Sequence, residues 1–190
     1  PNLTIYVKDD EGNYKPQYFI RYVTYDNQLL YSYLANGGEA AIDPTTDESV
    51  PEETRNSILN TIQSRPNLDS NNDGIEDTFY ELNQELRWEN LPSEIQQSYT
   101  LIPNYIIKYL VRFYQEEGEN LNLLYSTNVI HDTIPQDPVI SGELTPTPSR
   151  ETSAQYKYIY DGWTPDFRAL TGPMDYKVKF IEELNSYRVQ

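Results

Sequence analysis

The sequence predicts an α+β fold, mainly β, in which a small β-rich module occurs twice in tandem. Three observations predict it. Two stretches of alternating aromatic and polar residues repeat in the same order. Eighteen Tyr, five Phe and two Trp offer large buriable faces in a chain that is only 37% hydrophobic even with these rings counted. A single amphipathic segment of helical period interrupts the first copy.

The repeat begins with a hairpin. Tyr18-Phe19-Ile20-Arg21-Tyr22-Val23 runs into Leu29-Leu30-Tyr31-Ser32, and Tyr109-Leu110-Val111-Arg112-Phe113-Tyr114 runs into Leu123-Leu124-Tyr125-Ser126. Each pair alternates as a half-buried strand does, with turn residues between: Asp26-Asn27 in one, Glu117-Gly118-Glu119-Asn120 in the other. A single Trp then follows in each half. Trp88 precedes Leu91-Pro92 and a closing strand at Pro103-Asn104-Tyr105-Ile106-Ile107-Lys108-Tyr109, and Trp163 precedes Thr164-Pro165 and a closing strand at Pro173–Phe180. The expected division is 17–109 for module 1 and 110–190 for module 2. Residues 1–16 echo the closing strand and are expected to end a preceding repeat or to serve as a linker. The start at Pro1-Asn2-Leu3, without Met or signal peptide, is expected of a piece of a longer precursor.

Module 1 carries 19 more residues than module 2 between its hairpin and its Trp, and they have a pattern of their own. Ser49-Val50-Pro51-Glu52-Glu53 supplies an N-cap, a first-turn Pro and acids that suit the positive end of a helix dipole. Ile58, Leu59 and Ile62 then share one face, so a helix is expected over 51–64. In module 2 the corresponding region holds Thr145-Pro146-Thr147-Pro148-Ser149-Arg150. Prolines so spaced lack donors and predict a stiff, polyproline-like crossover.

Charge narrows the function. Fourteen Lys and Arg against 30 Asp and Glu leave a net charge of -16, which repels nucleic-acid phosphate and anionic membrane. No stretch approaches the roughly 18 apolar residues of a membrane span. With no cysteine, neither a disulfide framework nor a thiolate metal site is available.

One stretch has the chemistry of a hard-cation site. In Asp69-Ser70-Asn71-Asn72-Asp73-Gly74-Ile75-Glu76-Asp77, oxygen donors fall at relative positions 1, 3, 5 and 9. Gly74 stands where such a loop must turn sharply, and Ile75 follows with its carbonyl. Asp69, Asn71, Asp73, Ile75 and Asp77 are therefore the expected ligands of Ca²⁺. Position 12, where a bidentate acid normally closes the shell, is Tyr80. Glu81 from the start of a following helix, Glu76, or water is left to complete it, and weak binding is expected. An ordinary Asx-rich turn is the alternative use of the same residues.

Catalysis is not expected. His131 is the sole histidine and lies beside Asp132 just past a strand. No nucleophile elbow, phosphate-cradling glycine loop or His-Glu-x-x-His helix is present. The acid pairs Glu52-Glu53, Glu116-Glu117 and Glu182-Glu183 are adjacent in sequence, and neighbours on a strand point to opposite faces.

Two resemblances sharpen these expectations. Tyr158-Ile159-Tyr160-Asp161-Gly162-Trp163-Thr164-Pro165, followed by Leu170-Thr171-Gly172-Pro173-Met174-Asp175-Tyr176-Lys177-Val178-Lys179-Phe180, resembles the Listeria-Bacteroides repeat, the family that contains the internalin B-repeat. The resemblance covers 110–190; Val178 replaces the small residue common in the family, and in 17–109 Arg87 stands where the family has the Gly before Trp. It implies β-grasp-like modules, strung together on extracellular bacterial cell-surface or phage virion proteins as spacers or adhesive surfaces. The partners it implies are neighbouring repeats of the same parent chain, with a surface glycan or host protein as the alternative. The acidic loop resembles the calcium loops of thrombospondin type 3 repeats and dockerins, which implies Ca²⁺ as the bound ion.

Overall fold

Alternation and turn chemistry produce two sheets and one helix. The computed structural model describes residues 4–186, so Pro1-Asn2-Leu3 and residues 187–190, the expected end of module 2, lie outside the described residues. In chain order the elements are β1 (Ile5–Lys8), β2 (Tyr14–Val23), β3 (Leu29–Asn36), α1 (Glu52–Gln63), β4 (Thr78–Leu82), β5 (Tyr99–Leu101), β6 (Tyr105–Glu117), β7 (Asn120–Ile130), β8 (Tyr156–Thr164) and β9 (Met174–Leu184). The fold is mainly β, and the chain divides into two compact units.

Among the described residues the first unit comprises 4–66 and 80–106. β2 and β3 pair antiparallel around a turn in which Asn27 takes a left-handed φ of 68° and the Thr24 hydroxyl accepts the Gln28 amide at 2.9 Å. β1 pairs with the start of β2, from Ile5 opposite Gln17 to Lys8 opposite Tyr14. Further along the same strand, β5 lies parallel to β2, with Tyr22 opposite Leu101. The inward face of this sheet, Ile20 and Tyr22, packs with Ile58 and Ile62 of α1 and with Leu82, Trp88, Ile95 and Leu101.

Among the described residues the second unit comprises 67–79 and 107–186. β6 and β7 form a hairpin whose turn residue Gly118 has φ 64°, a conformation glycine adopts without steric cost. β8 and β9 form a second hairpin, and β9 lies parallel to β6 with Phe113 opposite Tyr176. The beginning of β4 flanks β6, where the Leu110 amide donates to the Asp77 carbonyl at 2.8 Å. Val111, Phe113, Trp163, Leu170 and Tyr176 form the core. The outward face carries ion pairs instead: Arg112 with Asp175, Lys177 with Glu116, Lys179 with Asp161 and Lys157 with Glu183. At such exposure each contributes about 0–1 kcal/mol, so these pairs align the strands more than they stabilise them.

Several expectations need correction. The closing strand of the first copy is β5, Tyr99–Leu101, whereas Tyr105–Tyr109 opens the long β6. Pro103 separates the two, and with Tyr99 and Leu101 turned toward the core the shorter segment satisfies the pairing. The 109/110 boundary accordingly falls inside a strand, and the acidic loop groups with the second unit and not with the first. Residues 5–8, read as the end of a preceding repeat or a linker, pair with β2 in the first unit. The helix at Glu52–Gln63 starts at Pro51 without a side-chain cap; the Ser49 hydroxyl donates to Asp47, and Arg55 binds the Val50 carbonyl at 2.6 Å. Residues 145–150 form no regular element, and Pro148 is buried in place of lying along an open crossover.

Candidate metal loop and the repeated indole site

The acidic loop is bound up largely with itself. Asp69 accepts the Asp73 amide at 3.2 Å on Oδ1 and the Gly74 amide at 2.8 Å on Oδ2. Asn71 Oδ1 accepts the Asp73 amide at 3.0 Å, and Asp73 Oδ1 accepts the Ile75 amide at 2.8 Å. Gly74, at φ 87°, permits the sharp return. Asp73 Oδ2 faces the Arg112 guanidinium at 3.5 Å. Its carboxyl is held below the usual range, first by the Asn71 side-chain bond, then by the Ile75 amide, with Arg112 adding to both.

Asp77 has a different role from its neighbours. It is buried; its Oδ2 accepts the Ser70 amide at 3.1 Å and the Ser70 hydroxyl at 2.5 Å, while Oδ1 accepts the Thr78 hydroxyl at 3.0 Å. Asp77 therefore fastens the two ends of the loop together. Glu81 is exposed on β4, a strand and not the start of a helix, because residues 78–82 alternate and pair. The structure thus gathers Asp69, Asn71 and Asp73 in one turn, places the Ile75 residue after it, and commits Asp77 to the hinge. Among the described residues no three His, Cys, Asp or Glu side chains are gathered at metal-binding distance. Asp69, Asn71 and Asp73 fit a hard cation in donor type, since each oxygen that accepts one amide keeps a further lone pair.

A second constellation appears in both units, and the motif reading missed it. Trp88 meets Tyr22 edge-on at 4.7 Å between ring centroids and 71°; Trp163 meets Phe113 at 4.8 Å and 72°. Tyr22 and Phe113 hold the same place in the repeat, and both indoles are buried. The Trp88 Nε1–H donates to Asp43 Oδ1 at 2.9 Å, and the Trp163 Nε1–H donates to Asp137 Oδ1 at 3.1 Å. Each aspartate also accepts the amide two residues on, Thr45 or Val139, at 2.8 Å. Each is followed by a buried proline, Pro44 or Pro138. The signal was available in the sequence: an Asp-Pro pair lies twelve positions after Tyr31 and again twelve positions after Tyr125.

Other polar clusters are local. Arg65 lies over the Tyr80 ring at 3.4 Å and over Tyr25 and Tyr105 at 4.8 Å each, a cation held among three aromatic faces. His131 Nδ1 is 3.2 Å from the Tyr109 hydroxyl and Nε2 is 3.2 Å from Asp132. Of the acid pairs, Glu52-Glu53 opens α1 and not a strand, while Glu116 and Glu183 pair with Lys177 and Lys157.

No known family, curated protein or solved structure matches the chain. The duplicated indole site therefore has to be interpreted from its own chemistry. It contains buried aromatic surface, one satisfied indole N–H and an Asx turn, which are the components of a packing latch.

Proposed function

We propose that the chain is a non-enzymatic structural segment of a larger extracellular protein, of a bacterial surface or a phage virion, made of repeats that space or present neighbouring parts. The observation that carries this reading is the repetition of the indole latch: what the two units have in common is a core, with a parallel strand closing on the hairpin in the same register. Hairpin, covering segment and parallel closing strand are the order of a β-grasp-like module, in keeping with the resemblance to the Listeria-Bacteroides repeat. An acidic surface with net charge -16 suits a soluble repeat and disfavours nucleic acid.

Within this proposal Ca²⁺ binds weakly at Asp69, Asn71 and Asp73 and holds the loop. For a dissociation constant of about 0.1 mM, extracellular calcium near 1 mM would stabilise the fold by about 1.4 kcal/mol. Titration calorimetry is expected to show heat on adding CaCl₂ and none for Asp73→Ala; silence from both proteins would end the calcium part of the proposal.

One observation favours an adhesive alternative. Tyr6 and Tyr14 are 62% and 69% exposed, and their positions share one face of the β1–β2 hairpin. Exposed aromatic rings of this kind stack on sugar faces or protein surfaces. A glycan array with and without EDTA separates the readings: a spacer retains nothing in either condition, whereas retention lost in Tyr14→Ala would transfer the conclusion to adhesion.

A further inference from the structure

The two long hairpin edges, each bent by one bulge, carry none of the charge or proline that usually guards an edge strand. β3 reads Leu-Leu-Tyr-Ser-Tyr-Leu-Ala-Asn and β7 reads Asn-Leu-Asn-Leu-Leu-Tyr-Ser-Thr-Asn-Val-Ile, with no charge and no proline in either. The chain as a whole is 23% charged. Natural sheets blunt a free edge with Lys, Pro or inward charges, because a row of unpaired amides and carbonyls recruits another strand. In the described structure β3 bonds only to β2 and β7 only to β6.

The direction of the free groups on β3 follows from the ladder. The Phe19 amide donates away from β3, to the Ser98 hydroxyl at 3.1 Å, and Phe19 faces Leu34. In an antiparallel pair this makes Phe19–Leu34 a non-hydrogen-bonded couple, as is Arg21–Ser32 two residues on. The amides and carbonyls of Leu34 and Ser32 therefore point out of the sheet edge. Leu34 is 42% exposed and Phe19 beside it 38%, so apolar surface accompanies the open backbone.

The β3 sequence is also complementary to itself. Reversed about Ser32, Tyr31 falls opposite Tyr33, both on the core side of the sheet, and the regular register runs from Asn36 back to Tyr31, ending at the bulge that leaves Leu30 without a partner on β2. We propose that two copies of the chain join edge to edge through β3, antiparallel across a two-fold axis at Ser32. The paired Ser32 residues exchange both N–H···O bonds, and Tyr31 meets Tyr33 as a cross-strand couple on either side of the axis. A second copy is the occupant that the edge fits: from Tyr31 to Tyr33 each side chain meets one of its own kind, and no acid faces another acid in a chain that otherwise repels itself. β7 is the poorer template. The same reversal about the equivalent Ser126 sets Tyr125 against Thr127 and Leu124 against Asn128, and the Ile130 carbonyl already accepts the Thr133 amide at 3.1 Å.

Sedimentation of the full chain tests this. A species of twice the 22.2 kDa chain mass is expected, growing with concentration and with salt, because salt screens the net repulsion of two acidic copies. Ser32→Lys and Ser32→Glu each place two like charges face to face, and each is expected to remain monomeric with near-ultraviolet circular dichroism unchanged. Mixed in equal amounts they are expected to recover the dimer. Ser126→Lys, which alters the equivalent position opposite Arg112 on β7, leaves it intact. Should Ser32→Lys fail to fold, Ser32→Glu, which sits beside Arg21, still reads the loss. A monomer under all conditions, a dimer that survives either Ser32 charge, or one abolished by Ser126→Lys overturns the proposal.

Discussion

Trp88 and Trp163 occupy the same place in their units, yet the chain around them differs greatly. In the first unit the core is covered by α1, through Ile58 and Ile62, and the closing strand β5 has three residues. In the second, irregular chain supplies Val139, Leu144, Phe167 and Leu170, and the closing strand β9 has eleven residues. Even the bulge that bends each first hairpin falls at matching positions, Tyr22/Val23 and Phe113/Tyr114. The difference teaches which parts of the module are interchangeable. Cover can be helix or loop, because apolar burial is non-directional; the indole must find an acceptor at one point in space, because a buried N–H without a partner costs about 1–3 kcal/mol.

The residue before each Trp shows the same contrast. Gly162 adopts φ 86°, a left-handed conformation that suits glycine, where β8 departs from simple register with β9. Arg87 stands there in the first unit. Its Nη1 donates to the Thr45 hydroxyl at 3.0 Å and lies 3.8 Å from Asp43, while its Nε is buried without a hydrogen-bond partner. The first latch therefore has an ionic component, and among the described residues no cation pairs with Asp137 in the second.

The largest test of this comparison is removal of the indoles. A buried Trp takes on the order of 150–250 Å² out of water, about 4–6 kcal/mol gross. Trp88→Ala and Trp163→Ala are each expected to cost roughly 3–5 kcal/mol in denaturant unfolding. A cost near zero for one of them would break the equivalence of the two units.

Replacing the acceptors should act less strongly and unequally. Asp137→Ala is expected to cost about 1–3 kcal/mol by stranding the Trp163 N–H. Asp43→Ala should exceed it, because Asp43 also accepts the Thr45 hydroxyl at 2.7 Å and faces the poorly satisfied Arg87 guanidinium. Thermal melts of the two variants check the order, and the reverse ranking would deny the ionic component any part in stability.

The smallest effects lie at the extremes of pH. Burial raises the Tyr22 hydroxyl, which donates to the Ile42 carbonyl, and burial together with Asp137 pushes Tyr160 up to about 12. A tyrosine whose folded pKa is raised favours folding below its unfolded value near 10 and loses that contribution as pH rises through the folded value. Both units should therefore weaken above about pH 10, Tyr160 ionising by about 12 and Tyr22 later still, as a tyrosinate absorbance titration would resolve. At the acid end, Asp9 and Asp47 in the first unit and Asp73 in the second are lowered by local hydrogen bonds. Their contribution is present above about pH 4 and is lost as pH falls through the lowered values. Flat stability across either limb would remove these groups from the account.

Much of the fold was legible because its signals are local. The hairpin turns at Asp26-Asn27 and Gly118-Glu119 name themselves by residue type, and Ile58 with Ile62 betrays a helix by spacing alone. The site was legible only in part. Asp69, Asn71, Asp73 and Gly74 do form one tight loop, but Asp77 reads as a ligand in a spacing template and turns out to be the buried clasp on Ser70. A template counts positions and cannot register which carboxylate the fold will bury.

Amino-acid order by itself determined the two hairpins, the helix and the presence of one indole per unit, since alternation, turn propensity and amphipathic period act over neighbouring residues. Tertiary structure alone decided that Tyr99–Leu101 and not Tyr105–Tyr109 closes the first sheet, that the acidic loop groups with the second unit, and that Asp43 and Asp137 receive the indoles. Those outcomes depend on residues tens of positions apart competing for one strand edge or one buried donor, and that competition is settled by packing in three dimensions.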